Sequence, residues 1–438
     1  MSTLFDFPVK PEARPYLDAF AEDSREPQWL RAARRQGLDR FARLGFPSRR
    51  SEDWRYLDLQ PLERQPLLPG AAPQTQPPAM LDELRLPTGR SQAWFVLVDG
   101  RALAGHPRRM ALPPGVWCGP MSVALMERPD LVRALLESCE RDHPFASLNA
   151  AFFASGFVLD VAPGVVIDRP IEFLHLATDA GASLHTRSLV NLGAGSRATV
   201  IETYAGGGKY WRNDVAVWRL GDGASLTRVA LVEESPEAVH LGEVTATLGA
   251  GAKLDACALL LGGGTVRHEA SVTIAGNDAE CRYDGAFVVA GREEANIVTA
   301  IDHAATGGTT SELVKGVAAG GGHGAFQGKI VVREGAQQTD ARQTSRNLIL
   351  GRRAAIDTKP ELEILADDVK CAHGASVGEL DEAALFYLRA RGIPTDEARR
   401  LLVEGFLREP IEGVADPAIR EHLLHRLSLR LARLGNAA

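Results

Sequence analysis

NLGAGSRATVIETY (residues 191–204), RLGDGASLTRVALV (219–232) and TLGAGAKLDACALL (247–260) are three copies of one pattern, each 28 residues after the last. A looser fourth copy, IAGNDAECRYDGAF, begins at Ile274, after nearly the same interval. Leu-Gly-x-Gly places glycine where the chain must turn with positive φ or where backbones stack closely. The alternating residues that follow send every second side chain inward. A fixed period of this length marks stacked repeat units. If each period is one coil, like residues stack on like and each coil buries its apolar face on the next. The pattern predicts a β-solenoid, a parallel β-helix. Turn-separated strands also build sandwiches, and the constant period favours the solenoid.

Working outward, the β character extends from Gly156 to about Leu365. Short runs such as GFVLDV, DVAVWRL, SVTIAG and GKIVVRE alternate with glycine-bearing turns. We assign 156–375 to the β-helix core. Residues 1–68 read as a helical region. EPQWLRAARRQGLDRFARLGFP carries Trp29, Leu30, Ala33, Leu38, Phe41 and Leu44 at helical spacing, with Gly45 and Pro47 as the stop. A Pro-rich segment, 69–79, reads as a mobile linker, and 80–155 as a mixed α/β lead-in with a strand in AWFVLVDG and a helix in PDLVRALLESCERD. Residues 376–438 are helical again. Asp381 and Thr395 are the expected caps of two helices. A third begins with Asp416 as cap and Pro417 in the first position and ends at Gly435. On it Ile419, Leu423, Leu427, Leu431 and Leu434 form one stripe, flanked by Arg420, Arg426, Arg430 and Arg433. That stripe either packs internally or docks a partner.

The composition narrows the function. At 438 residues the chain holds two or three folding units. A net charge of −7 lacks the basic excess of a general nucleic-acid binder. No apolar run approaches the roughly 20 residues needed to cross a bilayer. MSTLFDFPVKPEARPYL resembles neither a signal nor a transit peptide, so a cytoplasmic location is expected. The five cysteines, Cys118, Cys139, Cys257, Cys281 and Cys371, include no Cys-x-x-Cys pair and form no disulfide framework. The first four read as small buried hydrophobes.

Cys371 differs, because DVKCAH sets it two positions from His373 where strand character gives way to helix. In an extended chain the two side chains share a face and Lys370 takes the other. Thiolate and imidazole suit iron, zinc or copper. A Cys-x-His pair also arises by chance in a chain with five cysteines and 11 histidines, so its context decides its weight. An iron–sulfur cluster commonly takes about four protein ligands, and this stretch supplies two. Such a site is labile or is completed by another chain. Glu361 and Glu363 share a strand face but read as an exposed acidic edge, and His303 and His323 as loop or surface residues. GGGKYW and GGGHG lack the context of a phosphate loop, and no Gly-x-Ser-x-Gly elbow occurs. A carbohydrate-active β-helix enzyme, with carboxylates along a groove, stands as an alternative, although such enzymes are often secreted and no export signal is seen.

AAIDTKPELEILADDVKCAHGASVGELDEAALFYLRARGI (354–393) closely resembles the C-terminal hallmark of the SufB/SufD family, on its SufD side, within the SUF iron–sulfur cluster assembly machinery. SEDWRYLDL (51–59), FASLNAAFFASGFVLDVAPG (145–164) and FQGKIVVREGAQQTDARQTSRNLIL (326–350) are similar to that family too. The resemblance implies a right-handed parallel β-helix between helical N- and C-terminal regions. It implies a non-catalytic subunit that pairs with a SufB-like paralogue through the β-helix ends and carries a SufC-like ABC ATPase on its C-terminal helices, the leucine stripe helping to form that surface. Alone, the chain would form a homodimer; no nucleic acid or membrane partner is implied. His373, with Cys371 second, would be a ligand of a transient iron–sulfur cluster shared across the junction. No cofactor would stay on the lone chain, and reduced flavin would enter the complex through SufB. The family usually reads Cys-Ser-His-Gly-Ala-Thr where this chain has Cys-Ala-His-Gly-Ala-Ser, which keeps both candidate ligands. The Glu-His-Glu segment typical of SufB is absent, which disfavours the second family reading, a scaffold that binds cluster by itself.

Overall fold

The computed structural model describes residues 9–70, 76, 78–103, 108–109, 112–138, 142–178 and 181–434. Its centre is a parallel β-solenoid of about eight turns with helices at both ends of the chain. Among the described residues the strands form an 11-stranded and a nine-stranded sheet, and each coil gives one strand to each. Arg197–Gly206, Ser225–Glu233 and Lys253–Gly262 are neighbours in the larger sheet, with Ser225 in register with both Arg197 and Lys253. Trp211–Leu220 and Val239–Leu248 alternate with them in the smaller sheet.

The repeated Leu-Gly-x-Gly falls at the corner between sheets, where its two glycines have different duties. Gly195, Gly223 and Gly251 take φ of 67°, 65° and 60°, which L side chains rarely adopt. At Gly193, Gly221 and Gly249 a Cβ would come within 2.5–2.9 Å of atoms in or beside the preceding corner. The leucines before them, with Ala198, Val200, Leu226, Leu254 and Ala256, point into one continuous core.

The solenoid begins earlier in the chain than Gly156. Ala93–Val98 pairs in parallel with Ile171–Ala177 and so belongs to the larger sheet. AWFVLV is apolar on both faces for that reason. Ala93, Phe95 and Leu97 enter the lumen core, while Trp94, Val96 and Val98 pack in a cluster with Leu81 and Leu84. Of the Pro-rich segment, residues 71–75 and 77 lie outside the described residues, and Pro69 bridges to Ser183.

The helix Gln28–Leu44 ends at Gly45, φ 65°. Tyr16, Phe41, Phe46, Trp54 and Phe145 surround Trp211, joining the N-terminal region to the smaller sheet. The SEDWRYLDL segment straps this sheet. The Asp53 carbonyl accepts from Arg267 (2.9 Å) and Gln327 (3.2 Å), Lys359 pairs with Glu52 at 2.6 Å, and the Arg267 guanidinium lies 4.0 Å from the Trp54 ring centre.

The C-terminal helices are Glu382–Ala390, Thr395–Glu412 and Pro417–Leu434. Asp381 caps the first, accepting from the Ala383 and Ala384 amides. Asp416 caps the third in the same way, and the expected stop at Gly435 lies outside the described residues. The second differs from expectation. Pro394 takes the cap position, and Thr395 is already helical. A second correction concerns the leucine stripe. Ile419, Leu423, Leu427 and Leu431 are at most 3% exposed and join Val229, Leu231, Leu259, Ala286 and Val288 of the larger sheet in one cluster, with Leu434 against it. The outer face of that sheet is itself apolar and must be covered, so the stripe is internal and offers no docking surface. Arg426 fastens the helix to Glu233 at 2.6 Å, and Arg430 pairs with Glu293.

Cys118, Cys257 and Cys281 are buried, and Cys139 lies outside the described residues. His303 is not in a loop. It closes the strand Glu294–His303, fully buried, with Nε2 2.8 Å from Thr310 Oγ1. Gly308 makes the room, since a Cβ there would fall 2.8 Å from the ring. His323 opens the strand His323–Val332 and pairs with Asp357 at 2.8 Å.

Candidate metal centre

The chain's last coil is built from Asp340–Leu350, Ala355–Ile364 and Lys370–Gly378. Lys370–Gly378 ends the larger sheet and Ala355–Ile364 the smaller one. Among the described residues no strand covers the outer edge of either. Each edge therefore presents a row of backbone donors and acceptors able to pair with another chain. Ile364, Leu365 and Val377 stand exposed beside these edges.

Cys371 is in register with Ala341, and His373 with Gln343. Both underlying residues are buried, at 0% and 1% exposed, and face the lumen. The thiol and imidazole thus share the lumen face, about 7 Å apart along the strand, at its open mouth. Cys371 is half-buried against the margin of the core, and His373 is exposed. Burial pushes the Cys371 thiol above its ordinary pKa, partly offset by a backbone hydrogen bond from Ala341. It must therefore give up its proton when it meets a metal.

Among the described residues no group of three or more His, Cys, Asp or Glu side chains is arranged to hold a metal ion. Glu361 and Glu363 do not turn to the mouth as ligands; Lys359 pairs with Glu361 at 3.1 Å and Lys329 with Glu363 at 2.7 Å. Cys371 and His373 are a thiol and an imidazole, side-chain types that suit iron, zinc or copper, and the described residues bring no third such side chain to them.

Two features escaped the sequence reading. One is a polar column inside the lumen, where Tyr283, Glu312, Gln343 and His373 follow one another in register. Gln343 Nε2 donates to Glu312 Oε2 at 2.6 Å, and burial pushes the Glu312 carboxyl up to about 7. Further in, Arg228 pairs with Glu202 and Arg212 with Glu234, both at 2.6 Å, with His240 2.9 Å from Glu234. Burial would raise the Glu234 pKa, yet Arg212 and His240 outweigh it and hold the carboxyl at about 2. The inward alternation of the strands was the available signal, but it does not say which coils a charge spans. The other is an exposed aromatic pair on the first C-terminal helix. Phe386 is 72% and Tyr387 58% exposed, while Leu385 between turns is buried.

The solenoid thus carries helices on the outer face of its smaller sheet and ends in two uncovered strand edges with Cys371 and His373 beside them. Comparison with known families places the chain. The model for the SUF system FeS cluster assembly SufBD core domain matches residues 175–406, and that for the SufBD protein N-terminal region matches 16–173. The chain belongs to the SufBD family of iron–sulfur cluster assembly proteins. It is 28% identical to the iron–sulfur cluster assembly protein SufD of Escherichia coli, over 90% of this chain and 92% of that protein. It is 26% identical to SufD of Bacillus subtilis, over 91% and 94%, and 26% identical to a SufBD family protein of Synechocystis, over 91% and 90%. No helix among the described residues is long and apolar enough to cross a membrane.

Proposed function

We propose that this chain is the SufD-like, non-catalytic subunit of a cytoplasmic SUF complex. It pairs with a SufB-like paralogue, carries a SufC-like ABC ATPase, and helps build and pass on nascent clusters while supporting iron acquisition. The observation that carries this is the open mouth, where Cys371 and His373 sit in the lumen rim beside two unpaired strand edges. A paralogous solenoid adding its own strands there supplies the missing ligands and covers Ile364, Leu365 and Val377. A second copy of the chain takes that place when the paralogue is absent. In the assembled site Cys371 contributes a thiolate and His373 a neutral imidazole, and the cluster is cargo shared across the junction. No cofactor stays with the lone chain; reduced flavin belongs to the SufB-like partner.

The ATPase takes the C-terminal helices. With the leucine stripe spent on the solenoid, Phe386 and Tyr387 are the aromatic anchors left exposed there, and residues of this type dominate binding at interfaces. Co-purification from the native host is expected to bring down a SufB-like and a SufC-like chain. His373→Ala is expected to leave that complex intact and to abolish its cluster assembly. A clean monomer without an ATPase partner would refute the proposal.

A further inference from the structure

We infer that Gln343 is a positioning residue for the His373 imidazole, its side-chain carbonyl receiving one ring N–H so that the other nitrogen is left free at the mouth. This rests on reading His373 as a cluster ligand.

Gln343 and His373 occupy successive coils at the same register position, one strand spacing apart, about 4.8 Å. One coil further in, Glu312 holds the register position beneath Gln343. The Gln343 amide is oriented from below. Its Nε2 donates to Glu312 Oε2 at 2.6 Å. The nitrogen therefore faces Glu312, and the oxygen is the end left over. Gly328 opens the space for this amide from the opposite sheet, since a Cβ there would fall 2.2 Å from Gln343 Nε2.

That leftover oxygen is the second observation. Gln343 is 1% exposed, and Oε1 has no hydrogen-bond partner among the described residues. A buried acceptor without a donor is uncommon and calls for an explanation. The side chain stacked on its outer side is an imidazole, which carries an N–H in every tautomer. His373 is exposed and free to turn its ring inward about two side-chain torsions. Histidines that ligate metals almost always donate their other ring N–H to a carbonyl, carboxylate or water, which fixes tautomer and ring direction. Gln343 offers that carbonyl, and Glu312 keeps it turned the right way.

The test uses the whole metal-free chain, with ¹⁵N-labelled histidine and the His373 ring assigned by its loss in His373→Gln. The ring is expected to show one dominant tautomer in the unmodified chain. Gln343→Leu, which removes the carbonyl, is expected to return it to the mixture of a free imidazole. Glu312→Gln, which leaves Gln343 in place but lets its amide face either way, is expected to weaken the preference. A free mixture in the unmodified chain, or a His373 tautomer unchanged by Gln343→Leu, overturns the inference. If Gln343→Leu does not fold, an unchanged tautomer in Glu312→Gln overturns it. The measurement needs no partner, so its failure is separable from a failure to form the SUF complex.

Discussion

Glu312→Gln should change how the stability of this protein depends on pH. The carboxyl is enclosed in the lumen, 2% exposed, and burial raises it from an ordinary 4.5 to about 7. A carboxyl with a raised folded-state pKa favours folding most below 4.5, where it is protonated in both states. That contribution is lost as pH rises through about 7, because the folded protein must then hold a charge away from water. The full shift is worth about 3 kcal/mol. Between about pH 5.5 and about pH 8.5 the change is about 2 kcal/mol, because part of the penalty is already present at the lower value. Glutamine has no such titration and still accepts from Gln343 through its carbonyl. Urea unfolding of both proteins across that range is the assay. The unmodified chain is expected to lose about 2 kcal/mol relative to Glu312→Gln on going from the acid to the alkaline end. Parallel pH profiles for the two proteins would refute the reasoning, because they would mean that the carboxyl is hydrated or already compensated.

Three further outcomes are expected. Leu427→Ala removes a fully buried side chain between the last helix and the solenoid, so it should cost about 2–5 kcal/mol and make the C-terminal helices sensitive to limited proteolysis. Phe386→Ala, at a residue 72% exposed, should leave the thermal midpoint unchanged yet weaken capture of the proposed ATPase partner by about 2 kcal/mol or more, read by titration calorimetry. Gly316→Ala puts a Cβ 2.0 Å from the Phe287 ring inside the core, whereas Gly335→Ala meets nothing within 4 Å. Thermal melts should show the first destabilised by about 1–3 kcal/mol and the second near neutral.

Much of the architecture was readable before any coordinates. The 28-residue period gave the solenoid because each coil must bury itself on the next, and stacking forces like residues to recur. Caps such as Asp381 and Asp416 were readable because they act on amides two and three residues away. The shared face of Cys371 and His373 followed from strand alternation alone. Local rules favoured Thr395, whose hydroxyl can accept from a backbone amide, whereas the helix takes Pro394 at its cap position with no side-chain cap hydrogen bond. They missed the strand Ala93–Val98 as the first coil, since no repeat motif leads into it.

What the chain order alone settles, then, is the set of relations between residues near in sequence: periodicity, alternation and capping. Relations across coils and layers waited for the fold. Only the packed structure turned the leucine stripe inward, because an apolar outer sheet face had to be covered, and left Phe386 and Tyr387 in water. Only it placed Glu312 beneath Gln343 and Gln343 beneath His373, residues about 30 apart in sequence and one strand spacing apart in space. The mouth brings Cys371 and His373 beside two open strand edges because the solenoid stops there.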